Sequence, residues 1–306
     1  MFELHTSDFD PCPARAMLRR EGKFDGVAGI ALVRGLIAHE ALSLMHHEPE
    51  EFILTHIVNA SQLTISQLEN EGRTPSDAVI DGLKDIEKDI MVVLDTYKRN
   101  ILPITRKWTL LGTEVPVYWE LSDEVHLSSH IDALFVDEQG KPIVWDWKWR
   151  KDALAISDLS RNLQLACYFS CIAEGMIELC QHSWDMVEKK FGWTSSGDGW
   201  GFPAENTIPT PSVAWIDLPS LKPYTRKTTT TDDEGKSRTY IKGDDRPVSR
   251  IIRTVNHHPD QIETIKSYAL QRAKLIMNEI PMYIPQGCSH CECESWCPRF
   301  DMSEKA

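Results

Sequence analysis

Apolar positions recur at helical spacing in two N-terminal stretches, residues 12–22 and 30–47, the second of which contains ALVRGLIAHEALSLMHH. A longer helix is expected from Thr74-Pro75 to about Asn100, because a capping residue is followed by proline at the first helical position. From Trp108 to Trp149 the period changes to two, with turn residues at Ser122-Asp123 and at Asp137-Glu138-Gln139-Gly140, which predicts three antiparallel strands. A helix follows from about Asp158 to Cys180. Residues 192–212, rich in Gly, Ser, Pro and Thr, read as loop, and VAWIDL as a further strand. Lys222–Arg246 reads as an exposed polar hairpin or mobile loop, and HHPDQIETIKSYALQRAKLIMNEI as a final long helix. There is no internal repeat, and the only low-complexity tract is the four threonines 228–231.

One predicted strand breaks the usual composition. IVWDWKWR, residues 143–150, interleaves tryptophans with an acid and two bases, although strands are poor in Asp and Lys and charge on a packed face is costly unless paired. Alternate residues point to opposite faces, so Ile143, Trp145, Trp147 and Trp149 share one face and Val144, Asp146, Lys148 and Arg150 the other. The tryptophan face is expected to be the buried one. In the preceding strand, SSHIDALFVD, His130, Asp132 and Leu134 share a face. A turn centred near Gln139 makes paired positions sum to 278 and sets Asp132 opposite Asp146. Directly opposed residues have Cβ atoms about 4.5–5.5 Å apart, where like charges repel. Two facing carboxylates beside a lysine suggest a cation between them. Two solvated aspartates with an ordinary Asp–Lys neighbour is the other reading, and these residues alone leave both open.

Composition narrows the class. The 306 residues are 42% hydrophobic and 26% charged, as in a soluble globular protein, and can hold one large domain or two small ones. The N-terminus lacks an apolar leader core and no run is long enough to span a bilayer, so a cytoplasmic protein without a membrane role is expected. The formal net charge of −13 argues against a general nucleic-acid coat but leaves room for a local basic groove, and acidic clusters suit divalent cations. Of eight cysteines, Cys167, Cys171 and Cys180 fall in an apolar helical segment, Cys12 stands alone, and four crowd the last 20 residues in CSHCECESWCP. Without a secretion signal, a metal or cluster site is the better reading than a disulfide framework.

An acid on one strand followed by Asp-x-Lys on the next resembles the PD-(D/E)XK nuclease superfamily. GLIAH, with Gly35 and His39 four apart, and QLACY, with Gln164 and Tyr168 four apart, resemble the Gly-x-x-x-His and Gln-x-x-x-Tyr motifs of its RecB-like branch, in the same order. The resemblance implies an α/β fold: a restriction-endonuclease-like core with a central mixed sheet flanked by helices. It implies that His39, Asp132, Asp146 and the backbone carbonyl of Trp147 hold Mg2+ or Mn2+. Lys148 would assist the attacking water, and Gln164 and Tyr168 would orient substrate. Arg161, one turn before Gln164, and Arg150 are candidate DNA-backbone contacts. Glu114, in GTEVPV, matches a further acid that some members place on the first strand, and no catalytic role is assigned to it.

Cys288-x-x-Cys291-x5-Cys297-Pro298 supplies three thiolates, with Cys293 to spare. One cysteine before the core and three after it resembles the iron–sulfur exonucleases of that branch, AddB-like and CRISPR-associated. There, four cysteines hold a 4Fe-4S cluster that closes a helical cap; here they would be Cys12, Cys288, Cys291 and Cys297. Pinning positions 12 and 297 would contribute on the order of 5 kcal/mol on the loop-entropy view. Zinc bound by Cys288, Cys291, Cys293 and Cys297, or with His290, is the alternative. The resulting expectation is one RecB-like nuclease domain over 1–306. Its core spans about 30–182, an irregular insertion about 190–250, and cluster-binding ends 7–22 and 260–300. The function implied is a metal-dependent DNA exonuclease, acting on single-stranded or duplex ends in recombination, repair or CRISPR-type processing. It would act alone, as a homo-oligomer, or with recombination or CRISPR partner proteins. The rival is a non-catalytic DNA-binding adaptor on the same fold, with a structural zinc or iron–sulfur site.

Overall fold

A computed structural model describes residues 1–9, 13–23, 26–149, 162–195, 197–202, 210–222, 224–231, 237–244, 251–255 and 257–278. Cys12, Arg150, Arg161, Cys288, Cys291 and Cys297, together with Cys293 and His290, lie outside the described residues.

The predicted three-strand run is the centre of the molecule. Thr109–Ser122 (β2), Val125–Val136 (β3) and Pro142–Lys148 (β4) form consecutive antiparallel pairs. Phe2–His5 (β1) lies parallel to the start of β3. Met176–Glu178 (β5), Thr194–Ser195 (β6) and Trp200–Phe202 (β7) extend the sheet beyond β2. On the other side Ser212–Asp217 (β8) runs parallel to β4 and Ile252–Val255 (β11) antiparallel to β8. The sheet is therefore mixed, nine strands among the described residues. Tyr224–Thr231 (β9) and Ser237–Asp244 (β10) form a separate antiparallel ribbon, the hairpin expected there.

Helices cover both faces. Pro13–Arg20 (α1), Leu163–Glu174 (α5), Gln181–Phe191 (α6) and Ile262–Met277 (α7) pack on the face of Leu134, Val144 and Trp215. Ile30–His47 (α2), Ile53–Asn70 (α3) and Asp77–Asn100 (α4) pack on the face of Phe135, Trp145, Trp147 and Ile216. The expectation that only the tryptophan face of β4 is buried therefore fails. As a central strand between two helical layers, β4 keeps Val144 and Asp146 as fully buried as Trp147. Near the chain ends, Arg272 Nε in α7 donates to the carbonyl of Asp8 at 2.8 Å.

Several element boundaries differ from those the sequence predicts. Thr74-Pro75 does not open α4: Thr74 N–H donates to Gly26 O, making a two-residue parallel bridge with Val27–Ala28, and Ser76 takes the N-cap position. Helix α3 has no counterpart among the predicted elements, because His56, Ser61 and Thr64 occupy buried positions and interrupt its apolar stripe. The helix expected to reach Cys180 stops at Glu174. A Cβ on Gly175 would sit 2.5 Å from the carbonyls of Cys171 and Tyr118, and this close crossing starts β5 instead. Residues 192–212 contain β6 and β7 as well as loop. The last helix begins at Ile262, after a single 3-10 turn over Pro259–Gln261.

Candidate metal site at a break in the sheet

The edge of β3 opposite β2 changes partner along its length. Residues 125–128 pair with β1 and residues 133–136 with β4. Between them, residues 129–132 have no ladder on that edge among the described residues. Side chains fill the gap instead: Thr6 Oγ1 and Ser129 Oγ share a hydrogen bond of 2.6 Å, and Trp147 N–H donates to Asp132 Oδ2 at 2.5 Å. Inward alternation also breaks here. Ala133 and Phe135 enter the tryptophan-side core, while Leu127 and Ile131, at the same parity, enter the other core. On β2, Glu114 lies between Thr113, paired with Ala133, and Val115, paired with Ile131, and so falls opposite Asp132. It is the only non-glycine residue with positive φ among the described residues, at 49°. An L-residue held there is strained, a conformation found most often at functional positions.

The ladder Ala133↔Trp145, Leu134↔Val144 keeps pairs summing to 278, so its next step sets Asp132 against Asp146. Asp146 Oδ1 accepts from Lys148 Nζ at 2.6 Å, while its Oδ2 is buried without a hydrogen-bond partner among the described residues. A buried carboxylate oxygen with no donor is costly, which marks it as an oxygen shaped for a cation. Helix α2 brings His39 across the gap, with Nδ1 3.6 Å from Asp132 Oδ1. Ligand atoms of His39, Glu114 and Asp132 lie within 4.8 Å of one another. Carboxylate oxygens are the preferred ligands of hard divalent cations, and a neutral imidazole adds a nitrogen donor.

Trp147 organises the site from behind. Its ring meets His39 edge-on at 6.0 Å and stacks on His46 at 5.7 Å, and His46 Nε2 hydrogen-bonds the Tyr97 hydroxyl at 2.8 Å. The Trp147 backbone carbonyl lies against the His39 ring and favours its protonated form. Gln164 and Tyr168 also reach the site. Gln164 Nε2 donates to the Tyr168 hydroxyl at 2.8 Å, and that hydroxyl also bonds Ser129 in the gap. The Tyr168 side chain is buried.

Electrostatics agree with a cation-binding pocket. Burial, and then the Lys148 charge, lower His39 to about 4, leaving the neutral ring a ligand needs. Burial raises Asp132, and burial with the Asp132 charge raises Asp146 to about 6 against the pull of Lys148. Glu114 is exposed by surface area yet crowded by protein. Burial, then the charges of Asp132 and Glu40, raise it to about 8, an effect that solvent partly screens. Burial alone would lower Lys148, but Asp146 and Asp132 outweigh it and hold the ammonium charged.

These shifts set a pH dependence. Glu114, near 8 folded against 4.5 unfolded, and Asp146, near 6 against 3.8, each bind an extra proton in the folded state between those values, so both make stability fall as pH rises. His39 and His46, near 4 folded against 6.5 unfolded, act oppositely below 6.5. In EDTA the two effects oppose one another between about 4 and 6.5, and stability declines from about 6.5 to 8. Saturating Mn2+ removes that decline. Urea midpoints across pH, with and without the ion, check it.

Of the sequence candidates, His39, Asp132, Asp146, Trp147, Lys148, Gln164 and Tyr168 converge on this gap. Glu114, to which the sequence assigns no role, joins them. A plain hairpin turning at Ser122-Asp123 would set Glu114 opposite Ile131, and the register shift between Glu120 and Ser122 brings it opposite Asp132 instead, which hides it from the sequence.

Comparison with known proteins agrees with the geometry. No curated protein matches the chain at a significant level. One solved structure, titled "Crystal structure of SSO0001", aligns over 94% of each chain at 12% identity with a TM-score of 0.34, too low to carry an argument. The family model described as PD-(D/E)XK nuclease superfamily matches residues 5–298. With nearly its whole length matched and its acids, lysine and helical histidine gathered at one break in the sheet, the chain belongs to the PD-(D/E)XK nuclease superfamily.

Proposed function

We propose that the protein is a divalent-metal-dependent deoxyribonuclease that hydrolyses phosphodiester bonds from DNA ends. The observation that carries the hydrolytic reading is the donor set: His39, Glu114 and Asp132 within mutual reach, beside an Asp146 oxygen that has no donor. These residues, with the Trp147 carbonyl, would hold Mg2+ or Mn2+. When bound, such an ion supplies charge neutralisation on the phosphate and a more acidic water. The protein's own part is electrostatic and positional. Lys148, anchored on Asp146, sets a permanent positive charge where the phosphate gains negative charge. Gln164 fixes the Tyr168 hydroxyl at the edge of the site. The end-directed mode rests on the family resemblance.

The same proposal includes an iron–sulfur cluster on Cys12, Cys288, Cys291 and Cys297. What supports it is that α7, which precedes the C-terminal cysteines in the sequence, holds the carbonyl of Asp8, four residues before Cys12. Iron and sulfide analysis of anaerobically purified protein tests it, and stoichiometric zinc with no iron would replace the cluster by a zinc site.

End-labelled single-stranded DNA incubated with Mn2+ or Mg2+, against EDTA, tests the activity. The expected result is cutting only with metal, with a ladder that shortens from one end. A protein that binds the DNA and leaves it intact with every metal is the adaptor instead.

A further inference from the structure

The inward stripe of β3 has one polar interruption. Val125, Leu127 and Ile131 alternate into the core shared with α5, and Ser129 takes the place between Leu127 and Ile131. Alanine would fill the same space, and a buried hydroxyl costs free energy unless it is hydrogen-bonded. Ser129 is buried at the break in the ladder, and its hydroxyl bonds on two sides: to Thr6 Oγ1 at 2.6 Å and to the Tyr168 hydroxyl.

Thr6 is itself buried and opens the 3-10 turn Thr6–Phe9. Two residues on, Asp8 ties that turn down. Its Oδ2 accepts from the His5 N–H at 2.9 Å and from Arg20 Nη2 at 2.6 Å, and its carbonyl accepts from Arg272. A chain of four side chains therefore runs from the N-terminal turn through the gap to α5: Thr6, Ser129, Tyr168 and Gln164.

Proton counting gives this chain a direction. A hydroxyl has one proton to donate and two lone pairs to accept with. Gln164 Nε2 donates, so it takes one lone pair of Tyr168. Burial, and then the charges of Asp146 and Asp132, keep the Tyr168 hydroxyl protonated, and those charges draw the proton towards themselves. Ser129 then donates into the second lone pair and accepts from Thr6. Each hydroxyl spends its one proton in the same direction.

We infer that Ser129, supported by Thr6, is a positioning residue that occupies Tyr168 from behind, so that the tyrosine proton points into the gap and is donated to an oxygen of the substrate phosphate. The inference rests on the proposed nuclease reading for that acceptor, whereas the chain of hydroxyls stands without substrate. A donor aimed before the substrate arrives needs no reorganisation during the reaction, which is the source of its effect on turnover.

Two measurements on the full chain test it. The first needs no cutting: tyrosine labelled with 13C at Cζ is observed by NMR in EDTA, and the Tyr168 resonance is identified by its loss in Tyr168→Phe. Ser129→Ala should move that resonance. Thr6→Val, which removes the partner of Ser129, should move it the same way and by less, because hydrogen bonds in a chain polarise one another. A resonance unmoved in either variant would overturn the chain.

The second is turnover of end-labelled DNA with Mn2+. Ser129→Ala should lower kcat about tenfold, the factor that one net hydrogen bond is worth, and leave KM within about twofold. Ser129→Thr keeps the hydroxyl and should return to within about threefold of wild type. In a Tyr168→Phe background, Ser129→Ala should cost less than about twofold more, because a residue that acts through Tyr168 has nothing left to position. A merely structural serine would cost the same in both backgrounds, and that result overturns the inference. Absence of cutting by the wild type with any metal, alongside resonances that move, would bring down the nuclease reading and leave the orientation of Tyr168 standing, so the two failures are told apart.

Discussion

Asp146→Asn, assayed on end-labelled DNA with Mn2+, should turn over at least about a thousandfold more slowly than the wild type, a loss of about 4 kcal/mol of transition-state stabilisation. The amide keeps the shape of the side chain and one oxygen for Lys148 Nζ, so the fold is preserved while the charge facing the gap is lost. Asp132→Asn should fall as far, because Asp132 faces both His39 and the Trp147 N–H. Lys148→Met should lose activity to a similar degree while retaining metal, since the lysine is a charge beside the donors and not a donor itself. The Mn2+-induced rise in Tm separates the cases: it should shrink in both aspartate variants and persist in Lys148→Met. Turnover within tenfold of wild type in Asp146→Asn would remove this site from the reaction.

Trp147→Ala should be the most destabilising single substitution near the site, costing about 3–5 kcal/mol, the range for deleting a buried aromatic ring. Folded domains are stable by only about 5–15 kcal/mol in all, so that is a large share. The ring is fully buried and is held between two histidines of α2. Its removal opens a cavity and frees His46 from its stacking partner. Urea unfolding should show a lower midpoint with an unchanged slope, the sign of lost stability without a change in the surface exposed. Trp147→Phe should recover part of the loss. A cost below about 1 kcal/mol would mean that the cavity closes by collapse of α2 onto β4.

Much of this site is legible in the sequence. Period-two patterning from Trp108 to Trp149 locates β2, β3 and β4, and the turn at Gln139 sets the register that brings Asp132 to Asp146. Helical spacing places His39, Gln164 and Tyr168 on helices. Three features are not legible there, each for a physical reason. The buried state of Asp146 depends on helices covering both faces of β4, and strand patterning alone describes only the strand's own two faces. The place of Glu114 depends on a left-handed backbone at a non-glycine residue, which no propensity favours. The ladder between β4 and β8 joins residues about seventy positions apart, and its parallel crossover leaves no turn signature to read.

The partner change along β3 also bears on how the chain is made. The Thr6–Ser129 hydrogen bond spans 123 residues and the Arg272–Asp8 bond 264, so residues 2–8 leave the ribosome long before the partners they meet. The N-terminal strand must wait, unpaired, until the β3 edge emerges, and the seat of α1 is complete only when α7 has emerged. Closure of the site is thus a late event of biosynthesis. A nascent chain built in this order carries its acids long before it has the architecture to hold them together.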